Sequence, residues 1–224
     1  MDRKRNYDEK RWDALLTCIQ RICRIFWGPS EVSCRQMLEP SFLQPFEAIA
    51  SRTKPHWAAE LSDLQRLLEG FSDPASLFAY LEQGYVRLFI NARGGIAAPL
   101  YASCYEDETD PHLMGAAAVQ MQNTLMDLGI SISADVSEPP DHLSIELEVL
   151  YYLLTQARGP DHRISITKAA NFAAESMIPW VNTFCRRLVD EVRCRFYPLM
   201  AAVLVGVLHI VSDLIKHSGE PRLK

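Results

Sequence analysis

The stretch EPPDHLSIEL, residues 138–147, is the most informative part of the sequence, because a rigid loop turns into a helix within it. Two consecutive prolines restrict the backbone of that loop. Apolar residues then recur at helical spacing from Leu143 onward. Asp141 is of a residue type that commonly caps helix starts, so the sequence predicts a helix from Asp141 to about Gln156.

The same spacing of apolar residues recurs along the rest of the chain, interrupted by proline and glycine. Ile130–Val136 and Arg163–Ile166 alternate apolar and polar residues, but two short fragments do not make a stable sheet, so both are interpreted as extended loops. We therefore predict an all-α fold of about ten helices. The predicted helices are a first one of about 20 residues that ends at Gly28, then 31–38, 42–52, a segment that ends at Gly70, Pro74 to Asn91, Pro111 to Gly129, 141–156, 167–178, 180–195 and 196–216.

Two helix starts carry the same signal, an aspartate followed by proline, at Asp73-Pro74 and at Asp110-Pro111. The aspartate can cap the helix, and proline suits its first position. We expect one globular domain over residues 1–224. In it, residues 1–70 supply N-terminal helices and residues 71–216 form a helical core that carries the motifs described below.

Composition is that of an ordinary soluble globular protein, with 224 residues of which 48% are hydrophobic and 23% charged. The net charge of −5 argues against a nucleic-acid-binding protein, which usually has a basic surface. The charged N-terminus is not followed by the apolar segment of a secretory signal. The apolar run Leu199–Val211 is short for a membrane span and is expected to be a core helix, without stable membrane insertion.

The six cysteines form no C-x-x-C pair, and none lies at zinc-finger spacing from a histidine. Several fall on apolar helix faces, so we expect buried free thiols. The chain also lacks the phosphate-binding loop, the dinucleotide-binding glycine motif, the H-E-x-x-H metal motif and the G-x-S-x-G nucleophile elbow. No standard nucleotide, metal or acyl-enzyme site is therefore indicated.

Glu138, Asp141 and His142 suggest a ligand site, because a rigid loop presents two carboxylates and an imidazole at a helix start. Carboxylates match the planar guanidinium of arginine, so Glu138 and Asp141 are candidates for reading arginines on a peptide. A simpler interpretation makes Asp141 only a helix cap and His142 only a surface residue of the first turn. A third interpretation is an all-α metal-dependent hydrolase that uses Asp141 and His142 as its base pair.

Two aromatic segments, Tyr85–Asn91 and Pro99–Tyr105, suggest a peptide-binding groove with apolar walls and a few polar groups. The alternative is that Tyr85, Leu88 and Phe89 pack in the core. Arg87 is a candidate structural partner for Glu138, Asp141 or Glu146 in either case. The aromatic residues of Trp180–Phe184 and Phe196–Tyr197 are expected in the core.

Taken in order, these segments resemble the TorD/DmsD/NarJ family of redox-enzyme maturation chaperones. The resemblance runs from about Leu77 to Leu204. It is carried by Y-x-R-L-F at Tyr85–Phe89, the proline, serine and tyrosine of Pro99–Tyr105, E-x-P-D-H with L-x-x-E-L at Glu138–Leu147, W-x-x-x-F at Trp180–Phe184 and F-Y-x-x-M-A at Phe196–Ala201. Asn91–Ala98 lacks the aromatic residues that some members have there, and residues 1–70 match no motif of the family.

The resemblance implies a cytoplasmic chaperone that is not an enzyme and has no cofactor. Such proteins bind the twin-arginine leader of a molybdopterin-containing oxidoreductase precursor, delay its export and help it accept its cofactor. Members occur as monomers or homodimers. Some members bind guanine nucleotides. Because this chain has no phosphate-loop motif, the resemblance implies nucleotide binding only weakly. A permanent structural subunit of a redox complex is the alternative within this class.

By match to the family motifs, the resemblance assigns peptide binding to Tyr85, Arg87, Phe89, Pro99, Tyr101, Ser103, Tyr105, Glu138, Pro140, Asp141 and His142. On this hypothesis Glu138 and Asp141 bind the two arginines. The aromatic groove of Tyr85, Phe89 and Tyr101 takes the apolar part of the leader.

Overall fold

The computed structural model describes residues 2–50, 57–91, 95–107, 112–158 and 162–218. Within these ranges the regular structure is helical, and the only β-type pairing is an isolated bridge between Tyr101 and His142. The prediction of an all-α fold is confirmed. The α-helices are α1 (Asp2–Trp27), α2 (Glu31–Met37), α3 (Gln44–Ala50), α4 (Ala58–Glu69), α5 (Pro74–Tyr85), α6 (Ala116–Leu128), α7 (Leu143–Gln156), α8 (His162–Asn171), α9 (Ile178–Leu188), α10 (Phe196–Ser212) and α11 (Leu214–Ser218).

Three tighter or wider helical turns complete the described structure. The π-helical turn Val86–Ile90 continues α5, the 3-10 turn Ala102–Tyr105 precedes α6, and the π-helical segment Phe172–Met177 joins α8 to α9. In the first of these, the Asn91 N–H donates to the Val86 carbonyl at 2.7 Å. The bond spans five residues instead of four, which widens the turn.

The core is one continuous cluster of buried side chains that extends from Leu15 to Val211. Helix α1 packs along α7 and α3, and α10 packs on α9 and α4. At its centre Phe26 of α1 contacts Phe184 of α9 and Tyr197 of α10. The Phe26 ring centroid lies 5.6 Å from that of Phe184 and 6.3 Å from that of Tyr197. Burial of Trp180, Phe184, Phe196 and Tyr197 confirms the expected core role of these aromatic residues.

Several predicted helix signals are confirmed. Gly28 ends α1 with a positive φ of 119°, and Gly129 ends α6 with a left-handed φ of 66°. Asp73 caps α5 by accepting a hydrogen bond from the Ser76 N–H at 2.9 Å, with Pro74 in the first turn. Glycine at a helix end and Asp-Pro at a helix start both act within one turn, so they can be recognised in the sequence.

Two other predictions were wrong. Arg163–Ile166 is helical within α8 and not an extended loop. The predicted helix start at Asp110-Pro111 lies outside the described residues, but α6 begins only at Ala116. The Glu106 carboxylate accepts hydrogen bonds from the N–H groups of Ala116 and Ala117, so a distant residue caps this helix.

The six cysteines are free thiols, five of them buried and Cys185 half-buried, as predicted. Burial raises the pKa of the Cys23 thiol to about 12, so it stays protonated and unreactive at neutral pH. The apolar helix α10 buries ten of its residues in the core. By length and composition alone, Phe196–Lys216 would also suffice to cross a membrane, and 39% of its most apolar window is buried in the fold.

Candidate functional site

The loop before α7 is joined to the segment before the 3-10 turn by backbone hydrogen bonds. The Leu143 N–H donates to the Leu100 carbonyl at 2.8 Å, and the Ala102 N–H donates to the Asp141 carbonyl at 3.1 Å. The bridge between Tyr101 and His142 lies between these two bonds. Two segments that are about forty residues apart in the sequence therefore form one structural unit.

Asp141 has no accessible surface and fixes the 3-10 turn. Its Oδ2 accepts a hydrogen bond from the Ser103 N–H at 2.9 Å. Asp141 Oδ1 and Ser103 Oγ are buried, and no described residue bonds to them. The prediction that Asp141 caps α7 is wrong, because α7 begins at Leu143 and its capping residue is His142.

His142 is a buried, neutral cap for α7. Its Nδ1 accepts a hydrogen bond from the Ser144 N–H at 3.1 Å. The imidazole stacks on Trp27 with ring centroids 4.9 Å apart, and Tyr101 meets it edge-on at 5.2 Å. Burial lowers the pKa of His142 to about 4, against the opposite effect of two nearby carboxylates. The interpretation of His142 as a surface residue is wrong, since only 3% of it is exposed.

Tyr85, Tyr101 and Glu138 are half-buried neighbours, and we call them the rim. The Tyr101 hydroxyl donates to Glu138 Oε2 at 2.5 Å, and the Tyr85 hydroxyl donates to the Phe26 carbonyl at 3.0 Å. Burial, together with the Glu138 charge, raises the pKa of Tyr85 to about 12 and also raises the pKa of Tyr101. Both hydroxyls therefore remain protonated donors, and Glu138 presents a partly accessible carboxylate beside two aromatic rings.

Arg87 binds none of the three carboxylates proposed for it. Its Nη1 lies 2.6 Å from Glu191 Oε2, and both side chains are mostly buried. The other oxygen of Glu191 accepts from the N–H groups of Arg193 and Cys194. Arg87 thus links the Val86–Ile90 turn to the loop before α10. The prediction that it pairs with Glu138, Asp141 or Glu146 is wrong.

Phe89 and Tyr105 pack mainly against other aromatic rings. Phe89 is 2% exposed, and its ring centroid lies 5.1 to 6.1 Å from those of four aromatic neighbours. The Tyr105 hydroxyl donates to the Pro99 carbonyl at 2.8 Å, and the Arg187 guanidinium lies 4.4 Å from the Tyr105 ring centroid. The core interpretation of Phe89 fits this packing better than the groove interpretation does.

A cavity of about 300 Å³ adjoins this unit, and the sequence analysis did not predict it. Glu146, in the first turn of α7, lies at its wall with 3% of its surface exposed. Glu146 Oε2 accepts a hydrogen bond from Trp180 Nε1 at 3.0 Å. The signal in the sequence is a carboxylate on the apolar stripe of a helix, between Leu143 and Leu150, where a charged side chain is costly.

The part of the chain that the structure describes does not contain the metal centre that the hydrolase interpretation requires. There, no group of three or more histidine, cysteine, aspartate or glutamate side chains is placed to hold a metal ion. The Asp141 carboxylate and the His142 imidazole make their hydrogen bonds to backbone N–H groups and not to each other.

A family model described as nitrate reductase delta subunit matches residues 53–186. The chain belongs to the TorD/NarJ family of redox-enzyme maturation chaperones. The chaperone protein TorD of Shewanella loihica is 30% identical over 151 residues, which cover 66% of this chain and 68% of that protein. TorD of a Vibrio cholerae O1 classical Ogawa strain is 25% identical over 214 residues, which cover 89% of this chain and 96% of its own.

A solved structure from Archaeoglobus fulgidus, described as a candidate redox enzyme maturation protein, aligns with 92% of this chain and 93% of its own. The TM-score is 0.45, and the identity is 18%. The TorD/NarJ match covers every site residue predicted above, as well as Glu146 and Trp180.

The predicted site residues divide by exposure into two groups. The half-buried ones are Tyr85, Arg87, Pro99, Tyr101, Tyr105 and Glu138, and the buried ones are Phe89, Ser103, Pro140, Asp141 and His142. In this TorD/NarJ chain, the first group has surface to offer a ligand. In the second group, Asp141 and His142 hold the 3-10 turn and the start of α7 in place, and Phe89 packs in the core.

Proposed function

We propose that this chaperone binds the twin-arginine leader of a molybdopterin-containing oxidoreductase precursor and assists cofactor insertion before export. Membership of the TorD/NarJ family supports a redox-enzyme precursor as the partner. The observation that carries the finer proposal is the rim. Its carboxylate, Glu138, is half-exposed beside Tyr85 and Tyr101. The loop that carries Glu138 is held in place by the buried hydrogen bonds of Asp141 and His142.

Glu138 supplies the charge that the proposal needs. A carboxylate beside low-dielectric aromatic surface attracts an arginine more strongly than one in open water does. Arginine can also stack on the tyrosine rings. Asp141 has no accessible surface, so its contribution to binding is to hold the loop that presents Glu138. This differs from the initial hypothesis, in which both carboxylates touch the leader.

The remaining features of the proposal follow the family. We propose that the chain acts in the cytoplasm as one domain, as a monomer or homodimer, without catalytic activity, a resident cofactor or nucleic acid. Guanine nucleotide binding stays outside the proposal, since no phosphate-loop motif supports it. A permanent structural subunit is the competing function, and it would bind the mature enzyme rather than the leader-bearing precursor.

Binding of a fluorescent synthetic leader with two consecutive arginines and an apolar stretch tests the proposal by anisotropy. Removing one partner of a buried charge pair costs about 2–5 kcal/mol, and for the half-buried Glu138 we expect about 1–2 kcal/mol. The Glu138→Gln variant should therefore bind about five- to thirtyfold more weakly. Glutamine keeps an acceptor for the Tyr101 hydroxyl, so the rim geometry is preserved.

The matched control is Glu82→Gln, on the exposed face of α5, which should bind as the unsubstituted protein does. A leader with both arginines changed to lysine should lose most of its affinity for the unsubstituted protein, because lysine cannot bind in a planar, bidentate manner. Equal binding by both variants, or equal binding of a scrambled peptide, would contradict the proposed site.

A further inference from the structure

The cavity beside Glu146 is built from five parts of the chain. The 3-10 turn closes one side with Tyr105, α6 closes another with Met121, and the second π segment contributes Phe172. Trp180, at the start of α9, faces Tyr105 with ring centroids 5.4 Å apart. The cavity thus has aromatic and apolar walls, and among the described residues that line it, Glu146 of α7 supplies the buried carboxyl group.

Glu146 is only partly satisfied by the protein. Oε2 accepts the Trp180 hydrogen bond, but no described residue donates to Oε1. Buried carboxyl groups usually have their full set of partners, because leaving one without costs free energy. The lining residues in the described structure include a second carboxylate, Glu106, and no lysine or arginine. The cavity therefore offers Glu146 Oε1 as a hydrogen-bond acceptor between aromatic walls, which suits a flat cationic donor.

We propose that this cavity binds the guanidinium group of an arginine side chain, one of the two in the leader. The inference rests on the proposed function and adds a second subsite to the rim. A guanidinium is flat, so it fits against the rings of Tyr105 and Trp180, and its N–H groups can reach Glu146 Oε1. A lysine ammonium is more strongly hydrated and cannot stack in this way, so the cavity favours arginine.

The charged groups around Glu146 give the proposal a signature. Burial raises the pKa of Glu146 well above its ordinary value, the Trp180 hydrogen bond lowers it and the Asp141 carboxylate raises it. Among the described residues that line the cavity, the other titratable groups are Glu106 and Tyr105, and Arg187 lies beyond the Tyr105 ring. The polar lining residues of α6 and the π segment, Gln120, Thr124 and Ser176, carry no charge.

Without a bound cation, Glu146 consequently holds its proton at a pH where ordinary carboxyl groups have lost theirs. An arriving guanidinium favours the charged form, so binding releases that proton. Linkage then requires leader affinity to rise with pH until the pH reaches the pKa of Glu146 in the free protein.

Calorimetric titration of the leader, in two buffers with different protonation enthalpies, measures this proton release directly. We expect release on binding to the unsubstituted protein and tighter binding at about pH 7.5 than at about pH 5.5. The Glu146→Gln variant should release no proton from this site, show a flatter pH dependence and bind about tenfold or more weakly. Glutamine can still accept from Trp180, which preserves the wall of the cavity.

Glu175→Gln, an exposed position of the neighbouring π segment, is the matched control and should bind as the unsubstituted protein does. If Glu146→Gln does not fold, Thr124→Tyr fills the cavity from α6 and should weaken binding to a similar degree. Unchanged affinity and proton release in a folded Glu146→Gln protein overturn the inference and leave the rim proposal standing. Failure of the unsubstituted protein to bind the leader overturns both.

Discussion

The Phe89→Ala variant is expected to lose about 3–5 kcal/mol of unfolding free energy, the range for truncating a large buried aromatic side chain. Phe89 is 2% exposed and packs between Phe26, Phe184 and Tyr197, so its removal leaves a cavity at the centre of the core. Urea denaturation near pH 7 measures the loss.

Ile90→Ala is the matched control, because the same π-helical turn leaves 54% of Ile90 exposed. It should change the unfolding free energy by about 0.5 kcal/mol or less. If Phe89→Ala is as stable as the unsubstituted protein but loses leader binding, Phe89 belongs to the groove, as the family motif suggested, and the core assignment is wrong.

Acidification is expected to destabilise the fold through His142. Its pKa is about 4 in the folded chain and about 6.5 in an ordinary environment, so the unfolded state binds more protons between these values. Stability from this group is complete above the higher value and is lost as the pH falls through the window. Between about pH 7 and about pH 4.5, the loss from His142 alone should be about 2–3 kcal/mol.

His142→Asn isolates this effect, because asparagine is also a good helix cap and does not titrate. The unfolding free energies of both proteins are compared at the two pH values, since the other carboxyl groups titrate in both. Glu146 acts in the opposite direction, because its raised pKa favours folding as the pH falls. Equal losses in the two proteins would show that His142 is not held neutral by burial.

Local sequence signals predicted most of the helices. They failed where a residue from a distant part of the chain determines where a helix begins. Asp73-Pro74 and Gly129 act within one turn, so they were legible. The cap of α6 comes from Glu106, ten residues away. The Asp110-Pro111 signal therefore placed the start of this helix too early. Arg163–Ile166 alternates like a strand, but in the structure it forms a turn of α8, which packs on α7.

The sequence predicted which segments lie together, but not which of their side chains are buried. The motif matches brought together the loop of residues 138–142 and the segment Pro99–Tyr105, which the structure joins by backbone hydrogen bonds. They do not specify burial, so Asp141 and His142 were given exposed roles that the interior location excludes. The Arg87–Glu191 pair joins residues 104 positions apart, and nothing local in the sequence indicates it.

The most direct test of the account is to purify the tagged chain from its native host grown anaerobically and to identify what co-purifies by mass spectrometry. We expect a molybdopterin oxidoreductase precursor whose twin-arginine leader is still attached. The Glu138→Gln protein should recover less of it, while Glu82→Gln recovers as much as the unsubstituted chain. Recovery of only mature, processed enzyme at fixed stoichiometry would contradict the account and identify a permanent subunit instead.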